Sequence, residues 1–269
     1  MAGKRNKPKK LLLLSALLAA AAAVFCHASL ETEDWVVSSH RIPSAFDGFR
    51  ITLLTDLHGR EHRQLVEAVE KSRPDLLAIS GDLADERTDF ADIEPVLRQL
   101  TAIAPTVFVT GNHEWVRDDT EALLQQIAAC GVTVLRNDFF PLERDGQTIV
   151  IAGADDPNGY ADMLTPEQLM ERIRRDGDPY VVMLYHRNDA IDLWSGLQTD
   201  LVLSGHGHGG VIRLPFVGGL LGVDRRFFPK NAEGLYREGR TTLAVSRGIG
   251  GARLWNPPHL PTIVLRAEP

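Results

Sequence analysis

The fold turns on one stretch, Leu76-Leu77-Ala78-Ile79-Ser80-Gly81-Asp82-Leu83-Ala84-Asp85. A short apolar run between Pro74 and Gly81 predicts a buried strand. Its carboxyl end delivers Asp82 into a loop, where open α/β sheets place their ligands. The construction repeats along the chain. Ile51-Thr52-Leu53-Leu54-Thr55 runs into Asp56-Leu57-His58, and residues 107–110 run into Gly111-Asn112-His113-Glu114. Residues 181–185 run into His186, and residues 201–204 into Gly205-His206-Gly207-His208. Each predicted strand thus ends in Asp, His or Asn, and all are expected at one rim.

Around these motifs the chain alternates strands with amphipathic helices. Residues 62–71 place Leu65, Val66 and Val69 on one helical face, and residues 92–100, 120–130 and 165–174 read similarly. Further short strands are predicted over 132–135, 148–152, 241–246 and 262–266. Residues 30–48 read as a polar lead-in. Alternating strands and helices imply an α/β fold with a largely parallel sheet in the first half. The strand-rich second half implies another sheet packed on it, the whole of 29–269 forming one catalytic domain.

The 269 residues, 44% of them hydrophobic, are enough to bury a full core. A formal charge of −7 argues against a general nucleic-acid binder, whose polyanionic partner would be repelled. Cys26 and Cys130 make no disulfide framework. Lys4, Arg5, Lys7, Lys9 and Lys10 precede an apolar run over 11–25, followed by Cys26-His27-Ala28. That pattern describes a secretory signal over 1–28. The run falls short of the roughly 20 apolar residues of a membrane span, which favours a signal peptide over an uncleaved signal anchor. Either one leaves the basic residues inside and exports the rest of the chain, to a periplasmic or extracytoplasmic location.

Carboxylate, imidazole and amide donors without thiolates suit Mn²⁺, Fe or Zn²⁺ rather than a structural zinc cage. Taken alone, Asp56-x-His58 reads equally as a capping acid and a surface histidine. His206-x-His208 among glycines reads also as a flexible loop. The ensemble favours metal. His58, His113, His186, His206 and His208 fall at predicted strand ends, whereas His27, His40, His62 and His259 do not.

In this order the blocks Asp56-Leu57-His58, Gly81-Asp82, Gly111-Asn112-His113-Glu114, His186 and Gly205-His206-Gly207-His208 resemble the calcineurin-like metallophosphoesterases. The flanking pieces Ile42-Pro43, Phe46-Asp47-Gly48-Phe49-Arg50-Ile51, Gly209-Gly210-Val211-Ile212-Arg213-Leu214-Pro215 and Gly234-Leu235-Tyr236 are similar to a bacterial exported or membrane-associated branch. That branch includes phosphodiesterases and UDP-2,3-diacylglucosamine pyrophosphatase-like enzymes. The resemblance implies a four-layer α/β/β/α sandwich of two mixed sheets flanked by helices. It also implies two divalent ions, Mn²⁺ foremost. Asp56, His58, Asp82 and His208 would hold the first, and Asp82, Asn112, His186 and His206 the second. A metal-bridging hydroxide would attack a phosphodiester, phosphomonoester or pyrophosphate, carried by a small molecule, a lipid or a nucleotide-sugar lipid. His113 would be the general acid, held in its cationic form by Asp85. Asn112 and Arg187 would contact substrate, and Arg60 and Arg117 are further candidates for a phosphate clamp. The sequence departs from the family pattern at Glu86, where some members carry arginine, and at His186-Arg187-Asn188 in place of His-x-Pro. A non-catalytic metal or phosphate binder of the same fold is the rival reading.

Residues 211–228 are apolar and Gly-rich, with Leu220-Leu221 and Phe227-Phe228. They read as part of the core or, alternatively, as a lip that meets an acyl chain or the membrane surface.

Overall fold

The apolar runs become strands because each is closed by a turn-forming or polar cluster. The computed structural model describes residues 29–60, 63–160, 163–214, 216–251 and 253–269. The expected leader, 1–28, lies outside them, as does His62. In chain order the strands are β1 (Glu31–Ser39), β2 (Arg50–Leu54), β3 (Leu76–Ser80), β4 (Thr106–Val109), β5 (Val132–Val134), β6 (Asp138–Arg144) and β7 (Gln147–Ala154). They continue with β8 (Tyr180–Tyr185), β9 (Leu201–Ser204), β10 (Ile212–Leu214), β11 (Gly218–Leu221), β12 (Gly234–Glu238), β13 (Thr241–Val245) and β14 (His259–Ala267).

One sheet has the order β1-β14-β2-β3-β4-β5 and a second the order β12-β13-β9-β8-β7-β6, while β10 and β11 form a separate hairpin. Within the first, β2 to β5 run parallel, and β14 is antiparallel to β2. In the second, β13, β9, β8 and β7 are parallel, with β12 and β6 as antiparallel edges. Parallel neighbours need crossover connections. Helices α1 (Leu65–Ser72), α2 (Phe90–Ile103) and α3 (Thr120–Ala129) supply them in the first sheet, and α4 (Pro166–Ile173) and α5 (Ile191–Gly196) in the second. Local chemistry sets the starts: Asp89 accepts from Ala91 N at 3.0 Å, and Thr165 with Gln168 forms a capping box before Pro166.

Three clusters of buried side chains define the layers. Ile51, Leu53, Val107, Ile151, Val182, Leu203 and Ile263 fill the space between the sheets. Leu65, Ile93, Leu97 and Ile127 seat α1 to α3 on the outer face of the first sheet. Leu169, Ile173 and Trp194 seat α4 and α5 on the second. The molecule is therefore two mixed sheets flanked by helices.

Three expectations are corrected. Residues 30–48 are not a lead-in: residues 31–39 form β1, parallel to β14 from Glu31↔His259 to Ser39↔Ala267. As an edge strand β1 leaves Glu31, Thr32, Glu33 and Asp34 exposed, so no alternating apolar face marks it. The second half of the chain does not go wholly into the second sheet: the strand predicted at 262–266 is found as part of β14, in the first sheet between β1 and β2. Residues 211–228 do not enter the core. Their intermediate and exposed side chains form the β10–β11 hairpin and the segment returning beside it.

Candidate metal centre

Strand alternation does not aim the ligands. β2 ends at Leu54, two residues before Asp56. Left-handed turns aim them instead: φ is 52° at Asp56, 52° at His58, 51° at Asp82, 64° at His206 and 50° at His208. Non-glycine residues in this region store about 1–3 kcal/mol each, and such strain persists only where the surroundings over-determine it. Backbone bonds between neighbouring rim loops provide that. Asp56 N donates to Gly81 O at 3.1 Å, His58 N to Asp82 O at 2.9 Å, Gly205 N to His186 O at 2.9 Å, and Gly250 N to Asp56 O at 2.6 Å. Gly81 (φ 79°) has no substitute here, because a Cβ would strike the His186 ring.

The side chains converge as two groups of donors. Ligand atoms of Asp56, His58 and His208 lie within 4.8 Å of one another, and so do those of Asp82, His186 and His206. His58 Nε2 is 3.4 Å from His208 Nε2, and His208 Nε2 is 3.6 Å from Asp56 Oδ1. His186 Nε2 is 3.0 Å from Asp82 Oδ2 and 3.9 Å from Asp56 Oδ1, while His58 Nε2 is 3.9 Å from Asp82 Oδ2. Asp82 thus faces both groups. His186 Nδ1 donates to Ser80 O at 2.8 Å, which fixes the tautomer and leaves Nε2 for another partner.

Whether the residues suit ions can be judged from their unmet valences. The buried Asn112 Oδ1 and His186 Nε2 have no hydrogen-bond partner. His186 Nε2 faces Asp82 at 3.0 Å without hydrogen-bond geometry, as two ligands do when they converge on a third atom. Burial, ahead of the neighbouring charges, depresses His58 and His206 to about 4 and His208 to about 3, so these imidazoles are neutral with free lone pairs. Burial alone would depress His186 too. The Asp82 and Asp56 carboxylates outweigh it and push His186 up to about 10, while Asp82 is held below the ordinary carboxylate range. A proton on His186 here stands in for positive charge that a cation would bring. Asp56, Asp82, Asn112 and three neutral histidines fit a pair of divalent ions.

His113 lies beside the donors. Its backbone N–H donates to Asp82 Oδ1 at 3.0 Å, and its ring sits edge-on to His58 with centroids 4.8 Å apart. The expected Asp85–His113 contact is replaced by another. His113 Nδ1 donates to Glu86 Oε1 at 3.1 Å, whereas Asp85 Oδ1 accepts from Arg87 N (3.0 Å) and Thr88 Oγ1 (2.9 Å). Asp85 is occupied in closing its own turn, and the acid one position later reaches the ring. Arg187 also differs from expectation: it holds the buried Asp156 bidentately at 2.8 and 2.9 Å rather than facing the ligands free. Arg117 is tied to Asp119 and to the carbonyls of Asp85 and Thr88.

The sequence motif contains Glu114 without revealing its task. Its buried carboxylate accepts from the backbone N–H groups of Gly111 (2.7 Å), Asp82 (3.0 Å) and Ala84 (3.0 Å), locking the Asp82 and Asn112 loops together. Burial first, and the Asp82 charge second, push it up to about 7. The loop after β13, Arg247-Gly248-Ile249-Gly250-Gly251, was also missed. Its glycines pack on Asp56, on the Leu57 carbonyl and on the His208 ring. Arg253 pins this loop by donating to the carbonyls of Gly248, Gly250 and Arg247. A glycine cluster after a predicted strand was the available signal.

Comparison with known proteins agrees with this geometry. A family model described as calcineurin-like phosphoesterase matches residues 49–210. The chain is 32% identical over 237 residues to an uncharacterized metallophosphoesterase, YkuE, of Bacillus subtilis, covering 84% of this chain and 80% of that one. It is 33% identical to the uncharacterized protein YpbG of the same organism, covering 74% and 76%. It is 29% identical to phosphodiesterase YaeI of Escherichia coli, covering 75% of each.

Proposed function

The chain belongs to the calcineurin-like phosphoesterase family, and from that premise we propose that it hydrolyses a phosphodiester with two divalent ions, manganese foremost, and His113 as general acid. The convergence of both donor groups on Asp82 carries this reading. Asp56, His58, Asp82 and His208 would hold one ion, and Asp82, Asn112, His186 and His206 the other. When bound, such a pair supplies Lewis acidity to phosphoryl oxygens and lowers the pKa of water. Asp82, lying between the two groups, would also screen the repulsion of the cations.

The protein's own part is positioning and proton transfer. Glu86 holds the His113 ring through Nδ1, leaving Nε2 for a proton. A ring nitrogen of His113 lies within 4.8 Å of ligand atoms of His58 and Asp82, so the ring reaches a group bound there. As the water oxygen bonds to phosphorus, having released a proton to solvent, and the ester P–O bond breaks, the His113 proton passes to the leaving oxygen. The ring then recovers a proton from solvent, to which it is partly open. The likeness to a named phosphodiesterase supports a diester substrate; a lipid or nucleotide-sugar lipid as its carrier is part of the same proposal. The basic and apolar leader, residues 1–28, supports export and attachment to the membrane through the N-terminus.

Chelator-stripped protein should lose turnover of a chromogenic phosphodiester and recover it with Mn²⁺. Full turnover after exhaustive stripping, with no ion detected in the protein, contradicts the reading.

A further inference from the structure

Apolar side chains without partners become informative when they cluster. After His208 the chain crosses Gly209 and Gly210 into the β10–β11 hairpin, whose root closes with Val211 N donating to Leu221 O at 2.7 Å. The next turn brings Phe227 opposite Leu221, and Phe228 N donates to Leu220 O at 3.0 Å. Among the described residues, half of the exposed large hydrophobics fall in this stretch: Phe216, Val217, Val223, Phe227 and Phe228. Phe216 is 108% exposed, Phe227 69% and Phe228 64%. Phe216 and Phe228 also hold φ at 65° and 55°, values that bulky residues avoid. The turns themselves present these rings to the outside.

Charge and chain path point to one occupant. In a chain of net charge −7, residues 211–230 carry Arg213, Arg225, Arg226 and Lys230 against Asp224 alone. Arg225, Arg226 and Lys230 are exposed. Aromatic and aliphatic tips beside basic heads match the boundary layer of a bilayer with anionic headgroups. β1, moreover, enters the fold at this same rim. It runs parallel to β14, which is antiparallel to β2, so Glu31 lies at the carboxyl end of β2, near Asp56. Glu31 pairs with Arg247, whose stem lies against Gly209 at the hairpin root. Residues 1–28, with their basic head and apolar run, therefore join the fold beside the hairpin.

We propose that the hairpin of residues 211–228 lies against an anionic lipid bilayer and turns the metal rim toward the headgroups. Resting on the phosphodiesterase reading, the substrate class becomes a phosphodiester presented in that headgroup layer. A soluble ester would reach the same donors without the hairpin.

The test is optical and needs no turnover. Full-length Phe216→Cys, in a Cys26→Ser background with Cys130 buried, is labelled with bimane and mixed with vesicles containing brominated acyl chains. With phosphatidylglycerol present, emission should shift to the blue and be quenched. The same label at Glu143→Cys, on the strand leading to the far-end turn, should stay in water. Adding Phe227→Ser and Phe228→Ser, or Arg225→Glu and Arg226→Glu, should remove the quenching at 216. That result separates hairpin contact from tethering by the leader. A label at 216 that stays aqueous on vesicles, or quenching that survives both pairs of substitutions, overturns the proposal. So does a blue shift that needs no vesicles and grows with protein concentration, which marks a second copy as the occupant. Absence of phosphodiesterase activity from the unsubstituted, Mn²⁺-loaded chain, with quenching at 216 intact, would instead count against the catalytic reading alone.

Discussion

The two sheets contribute different chemistry to the same centre. The first brings the oxygen donors Asp56, Asp82 and Asn112, with His58 as its lone imidazole among the expected ligands. The second brings only imidazoles, His186, His206 and His208. Anionic and neutral donors therefore meet at a seam, and Asp82 on one side opposes His186 on the other at 3.0 Å. The seam is polar where the space beneath it is apolar, filled by residues such as Leu53, Val182 and Leu203. Apolar packing joins the sheets below. Hydrogen bonds and, on this account, cations join them at the rim. An ion bound by both sheets and not by the unfolded chain stabilises the fold, by about 2.7 kcal/mol when free ion exceeds its Kd a hundredfold.

Unequal roles for the two sides are open to attack by substitution. Asp82→Ala should reduce phosphodiester turnover to background and abolish binding of both ions, while His206→Ala should remove only one. Metal content per chain checks this, and equal losses in both variants would erase the distinction. His113→Ala should lower the rate on a substrate with a poor leaving group by roughly 10²–10⁴-fold, and far less on a nitrophenyl ester. A uniform loss across leaving groups would deny it the acid role. Glu114→Ala strands three backbone N–H groups beneath the first sheet's ligands, at about 1–3 kcal/mol each. Its melting temperature should drop steeply, whereas Asp85→Ala, which touches only its own turn, should be milder.

Smaller still is a pH effect confined to the same acid. Glu114 rises from an ordinary 4.5 to about 7 in the folded state, so the native protein binds that proton more tightly than the unfolded chain. Its contribution is full below about pH 4.5 and is lost as pH rises through 7, with a slope of at most about 1.4 kcal/mol per pH unit. In chelator-treated protein, Glu114→Gln should flatten the fall in stability across that window. An unchanged slope would show that the carboxyl is not the group responsible.

How much was legible depends on periodicity and on its absence. Buried parallel strands read as apolar runs, so β2, β3, β4, β8 and β9 and the polar residues at their ends were visible. β1 was hidden because Glu31 to Asp34 face solvent at an edge, and its partner β14 lies more than 200 residues away. The ligand types could be read, but the left-handed turns that aim Asp56 and His58 could not. Spacing named Asp85 as the partner of His113. Only the turn closed by Thr88 shows why Glu86 takes its place.

Anomalous diffraction from crystals grown with Mn²⁺ tests the central claim most directly. Two peaks are predicted, one among Asp56, His58 and His208 and one among Asn112, His186 and His206, with the Asp82 carboxylate touching both. A single peak, or Asp82 turned away from either, would contradict the account.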